Sequence, residues 1–149
     1  SMALKQDIQA DMKTAMKAGE KERLSVIRML LAALQIREIE TREDLSDADV
    51  LQIIEKQIKQ RMDSAKQFAD AGRDDRAAQE TAEGETLKAY LPEQLSKSEL
   101  SEMLAEVIES TGASSMKDMG QVMAELRKRA QGRADMGMLS GLVKAKLAG

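Results

Sequence analysis

Seven cations crowd the last part of this chain. Lys117, Arg127, Lys128, Arg129, Arg133, Lys144 and Lys146 fall within residues 111–149, against Asp118, Glu125 and Asp135, a local balance of +4. The chemistry open to such a set is binding an anion, above all a phosphate backbone, rather than making bonds. On a helix from Met116 to Ala130, about 100° per residue gathers Met119, Val122, Met123 and Leu126 near one direction. Lys117, Gln121 and Lys128 fall on the other side, with Lys117 and Lys128 roughly 16 Å apart along the axis. Lys117, Lys128 and Arg133 are expected to lead in binding, with Arg127, Lys144 and Lys146 in support. Arg129 flanks the same stripe. A solvated helix face also carries basic residues, so charge alone leaves both readings open.

What the chain lacks narrows the rest. It has no His and no Cys, which removes the commonest general base, the commonest zinc ligand and all thiolate chemistry. Glu80, Glu83 and Glu85 are carboxylates in number, but without His no Glu-x-x-His pair exists, so a di-metal bundle is not expected. No Gly-x-x-x-x-Gly-Lys-Ser/Thr loop is present. No catalytic residue, metal or cofactor is therefore assigned. Phe68 and Tyr90 are the only aromatics, too few to stack single-stranded bases. An RNA partner would be read through phosphate and shape, as a folded or double-stranded RNA. No apolar run approaches a membrane span. Ser1 before Met2 reads as a scar of tag removal, and the start turns charged too soon for a secretory signal. The expected location is cytoplasmic.

The elements that must position these residues are helices. With 1% aromatics and 11 Met, the core must come from Leu, Ile, Val, Ala and Met, and Leu, Ala and Met favour helix. Leu4, Ile8, Met12, Ala15 and Met16 predict a helix over 3–18, stopping near Gly19. Leu24, Ile27, Leu30, Leu31 and Leu34 predict a second, from Glu20 to about Arg42. Ser46 with Asp49 makes a capping box, and Leu45 can staple onto Val50. The third helix then carries Ile53, Ile54, Ile58, Met62, Ala65 and Phe68 inward, to near Gly72. Residues 73–90 read as helix poor in large apolar residues and weakened by Gly84. Pro92, the only proline, disfavours helix at the residue before it and marks a hinge.

After the hinge, Ser96, Glu99, Leu95 and Leu100 repeat the box and staple. Leu100, Met103, Leu104, Val107 and Ile108 face inward up to Gly112. Ser115 with Asp118 starts the next helix, and the last runs from about Asp135 through Leu139, Leu142, Val143 and Leu147. Gly120, inside a helical pattern, points to close helix packing. Gly132 fits a helix C-cap and Asp135 the next N-cap, so both are structural, as are Gly120 and Pro92. The expectation is an all-α protein: four helices in residues 1–95 and a three-helix domain in 96–149.

Three stretches in order carry a resemblance. They are Glu22-Arg23-Leu24-Ser25-Val26-Ile27-Arg28-Met29-Leu30, Tyr90-Leu91-Pro92-Glu93-Gln94-Leu95-Ser96, and Met116-Lys117-Asp118-Met119-Gly120 with Gly132-Arg133-Ala134-Asp135. Over nearly its whole length the chain resembles the GatB/YqeY family, as a stand-alone YqeY-like protein. The resemblance implies a helical body and a small three-helix tail. That tail is similar to the C-terminal domain of the B subunit of tRNA-dependent amidotransferase, which is associated with holding tRNA. A lysine is common in the family where Gln131 stands. The resemblance also implies a carbon–nitrogen ligase label with glutamine as donor, although the ATP-dependent carboxyl-activating domain has no counterpart here. The expected role is a tRNA-binding accessory protein, not catalytic alone. Its alternatives are a module docking on an amidotransferase or translation factor, and an accessory ligase.

Overall fold

The structure, a computed structural model, describes residues 3–149. It is all-helical, with no strand among the described residues. The reading of Ser1 and Met2 lies outside them. Helices α1 (Ala3–Ala18), α2 (Lys21–Thr41), α3 (Asp47–Asp70) and α4 (Asp74–Lys88) precede α5 (Lys97–Thr111), α6 (Met119–Ala130) and α7 (Met136–Ala148). A single 3-10 turn, Met116–Asp118, leads into α6. The chain divides into a body ending at Leu91 and a tail, Pro92–Gly149. The division falls before the 95/96 cut because Gln94 and Leu95 bond to the tail: Gln94 Nε2 donates to the Gly132 carbonyl at 2.8 Å. The Leu95 N–H donates to the Arg133 carbonyl at 2.8 Å.

In the body, Ile8, Val26, Ile27, Leu30, Leu34, Val50, Ile54 and Leu87 pack as one apolar core. The start of α3 is built as its residues dictate. Ser46 accepts from the Asp49 N–H, Asp49 accepts in return, and Leu45 is buried beside Val50. Two stripe positions depart from expectation. Met62 is exposed and Arg61 is buried in its place. The guanidinium of Arg61 binds Glu83 and lies 3.6 Å from Glu80, both on α4. An Arg held this way supplies packing that α4, with only Gly84 and Leu87 buried, cannot supply from apolar side chains. The Arg76 guanidinium over the Phe68 ring, at 5.0 Å, adds a cation–π contact between α3 and α4. Met16 is also exposed, contrary to its place in the α1 stripe.

Candidate nucleic-acid interface

The tail closes around Leu104, Val107, Val122, Met123, Leu126, Val143 and Leu147. A smaller group, Leu100, Ala130, Ala134 and Leu139, packs with Leu95. Leu142, expected inward, is exposed: Leu139, Val143 and Leu147 define the buried side of α7, and Leu142 lies about 100° from it. At the start of α5, Ser96 accepts from the Glu99 N–H and Glu99 accepts from the Ser96 N–H. Those bonds hold the Glu99 carboxyl below its ordinary range, with the neighbouring Arg133 a smaller cause. Before α6, Asp118 accepts from the N–H groups of Ser114 and Ser115, which lowers its pKa likewise. Asp135 caps α7, accepting from the Met138 N–H at 3.0 Å.

Two glycine expectations change. Gly120 is exposed, and a Cβ added there would meet nothing within 4 Å. The close packing expected at Gly120 is absent. Gly132 is not the helix cap. Gln131 is the cap, with φ −54 and ψ 123, and Gly132 follows with φ 78. The Arg133 N–H returns to the Ala130 carbonyl at 2.8 Å. These angles make a type II turn, whose third residue needs a positive φ. Pro92 is exposed, ahead of α5.

The cations separate into four groups. Lys117, Arg127 and Lys128 are exposed, and none makes an ion pair among the described residues. Lys128 lies nearly opposite the buried stripe of Val122, Met123 and Leu126, at about 180° by helical rotation. Lys117 sits in the 3-10 turn, whose longer rise of about 2 Å per residue sets it slightly farther out than a continuous helix would. Arg129 is tied down by Glu125 at 3.2 Å and Glu106 at 3.3 Å. Arg133 is half-buried beside Glu99. Lys144 and Lys146 are exposed and unpaired, but two residues of helix turn them about 160° apart, onto opposite flanks of α7. The outward face between those flanks, with Met138, Gly141, Leu142 and Ala145, is exposed and carries no charge. The structure therefore leaves Lys117 exposed at the approach to α6 and Arg127 and Lys128 exposed in its last turn, and does not gather Lys144 and Lys146 onto one face.

The tail as a whole is balanced: Pro92–Gly149 holds eight basic and eight acidic residues. The acidic share sits on α5, where Glu102, Glu106 and Glu109 are exposed on the side away from Leu100, Leu104 and Val107. The positive field is thus local to α6 and α7. In the body, residues not singled out from the sequence form a second polar cluster. The Tyr90 hydroxyl donates to Asp11 at 2.6 Å, Arg23 approaches Asp11 at 3.8 Å, and a shallow depression lies beside Asp7 and Asp11. Burial first, then the bond to Asp11, raises the Tyr90 pKa. Among the described residues no helix is long and apolar enough to cross a membrane.

Among known proteins, a family model covers nearly the whole chain and relatives cover part of it. The model of the YqeY-like protein family covers residues 5–147. The chain is 29% identical over 129 residues to altered inheritance of mitochondria protein 41, mitochondrial, of Pyrenophora tritici-repentis, a match spanning 85% of this chain and 71% of that protein. A protein of the same name from Clavispora lusitaniae is 33% identical over 89 residues, 60% of this chain and 52% of the relative. An uncharacterised Schizosaccharomyces pombe protein is 32% identical over 82 residues, 55% of this chain and 67% of its own length.

Proposed function

The chain belongs to the YqeY-like family, and from that premise we propose that its tail is a tRNA-binding module, similar to the tail of the amidotransferase B subunit, acting as an accessory to tRNA-dependent amidation. One observation carries the reading: Lys117, Arg127 and Lys128 stand exposed and without an ion-pair partner, while Arg129 on the same helix is neutralised twice. Unpaired lysines about 16 Å apart can reach separate phosphates, and each contact releases counterions. Lys117, Lys128 and Arg127 lead; Arg133 supports from beside Glu99. Lys144 and Lys146 serve only where an RNA wraps both flanks of α7. The reading needs an aqueous compartment that holds tRNA, whether the cytoplasm expected from the sequence or the mitochondrion that two relatives' names give for them.

Titrating labelled tRNA against the protein at several salt concentrations tests this. The expected log affinity falls linearly with log salt. Reversing both lysines, in Lys117→Glu with Lys128→Glu, lowers the slope by about 2 and weakens binding without loss of helix. Equal affinity of the double variant and the parent would remove the surface. A second reading, docking on a protein of the translation apparatus, has its own support in the uncharged outward face of α7. Capture of an amidotransferase or translation factor that survives nuclease and high salt would favour it.

A further inference from the structure

Arg61 is buried, at 8% exposure, and its two carboxylate partners engage only one end of it. Nη1 faces Glu83 and Glu80. Nη2 donates to the sulfur of Met29, on α2, at 3.5 Å. Nε is buried and has no hydrogen-bond partner among the described residues. Nε–H and one N–H of Nη2 point the same way from one edge of the planar guanidinium, and what stands at that edge is a thioether, a weak acceptor. A buried cationic donor pair thus meets one of the poorest acceptors a side chain can offer.

Met29 is itself 52% exposed, so solvent reaches the side chain while its sulfur is tied to a buried cation. The chain has no Cys, and methionine sulfur is then the soft nucleophile that a peroxide meets. We propose that Met29 is an oxidation site whose sulfoxide is held by Arg61, so that a peroxide tightens the junction of α2, α3 and α4. A lone pair on Sδ attacks one oxygen of hydrogen peroxide and the O–O bond breaks. The departing hydroxide takes the proton of the transferred oxygen and leaves as water. Sulfur gives up two electrons and the peroxide takes them.

The product suits the site better than the reactant does. A sulfoxide oxygen is a strong acceptor, and the flexible end of the methionine side chain can swing the S–O bond to the guanidinium. There it accepts from Nη2 and Nε together, a charge-assisted pair of bonds. It also ends the unsatisfied burial of Nε, which costs free energy while it lasts. Oxidising a methionine ordinarily disrupts apolar packing; here that loss is small, because Met29 is half-exposed. Met16 shows the difference. Its sulfur accepts from Arg28 Nη2 at 3.8 Å, but Arg28 is exposed, so water already serves that guanidinium. Met62 and Met138, each 48% exposed, receive no guanidinium among the described residues.

Dilute hydrogen peroxide on the full chain, followed by peptide mass spectrometry, reads which sulfurs convert, and arginine side-chain NMR reads the consequence at Arg61. Met29 should convert at least as fast as Met62 and Met138. On its conversion the Arg61 Nε–H should exchange with solvent about tenfold more slowly, the scale of one hydrogen bond to a charged group. Met29→Leu, nearly isosteric at a half-exposed position, should fold as the parent does and show no slowing under the same peroxide. It should also lose more thermal stability on that treatment than the parent, since only the parent gains the new bonds. A Met29 that stays reduced while Met62 and Met138 convert would overturn the proposal. Unchanged Nε–H exchange after conversion, or a slowing that persists in Met29→Leu, would overturn it as well.

Discussion

The body and the tail leave different things unpaired. In the body, the buried and half-buried cations find partners within the fold: Lys5 with Glu38, Arg61 with Glu80 and Glu83, and Arg23 with Asp11. The body also exposes an apolar stripe, Met29, Ile36 and Ile39, on one face of α2. In the tail, Lys117, Arg127 and Lys128 are exposed without an ion pair among the described residues, while α5 gathers carboxylates on one face. Both units are helix packed on helix, and both expose some hydrocarbon and some charge; the body gathers its exposed hydrocarbon on α2, and the tail adds Met138 and Leu142 on α7. What each helix leaves on its surface, not the shared fold class, thus distinguishes the two units.

The largest test of this contrast is Arg61. Removing the cation in Arg61→Leu leaves Glu80 and Glu83 facing each other, partly buried and uncompensated. Breaking one side of a buried ion cluster costs about 3 kcal/mol. For a unit of this size that lowers the melting temperature by roughly 15 °C. The loss should be confined to amide-exchange protection in the body. A melting temperature within 2–3 °C of the parent would show that Arg61 acts through its hydrocarbon stem alone.

Arg61 also marks where sequence reading ran out. Local signals were legible because they depend on few residues: the boxes at Ser46 and Ser96, the staples and the Asp135 cap all form as spacing predicts. The inward stripes of α5 and α6 were legible for the same reason. Arg61 was not, because its burial is set by Glu80 and Glu83, about 20 residues away, and hydrophobic periodicity gives Met62 the better claim. The usable signal was an apolar-poor helix carrying two carboxylates one turn apart, opposite a stripe with one cation. At the candidate site, charge and exposure of Lys117 and Lys128 were legible. The neutralisation of Arg129 was not, since Glu106 comes from another helix. Lys144 and Lys146 looked like allies because they are close in sequence; helical rotation parts them.

The two tail glycines sharpen the contrast at the next level down. Gly132 has φ 78, where any other L-residue is strained, so Gly132→Ala should cost about 1–2 kcal/mol. Gly120 has open space around a Cβ and lies within α6, so Gly120→Ala should gain up to about 1 kcal/mol. Urea midpoints of the two variants should therefore move in opposite directions. A loss in Gly120→Ala would restore the close-packing role expected from sequence.

The smallest effect is in pH, and it too has opposite signs in the two units. Glu99 and Asp118 are lowered in the folded tail by bonds from backbone N–H groups. Their unfolded forms hold protons more tightly, so stability rises with pH through that window. It is fully present above the ordinary carboxylate range and is lost as pH falls through the folded values. Tyr90 in the body is raised, by burial and then by its bond to Asp11. Its contribution is fully present below the usual tyrosine value of 10.0 and is lost as pH climbs toward the folded one. Acid should therefore loosen the tail first and alkali the body first. Tyr90 is the only tyrosine, so tyrosinate absorbance reports the alkaline arm without ambiguity, and Tyr90→Phe should flatten it. Amide exchange at the starts of α5 and α6 reports the acid arm, which Glu99→Gln should weaken. An acid arm that loosens body and tail together would mean that carboxylates in the body share the load, and that the difference between the units lies only in what they leave exposed.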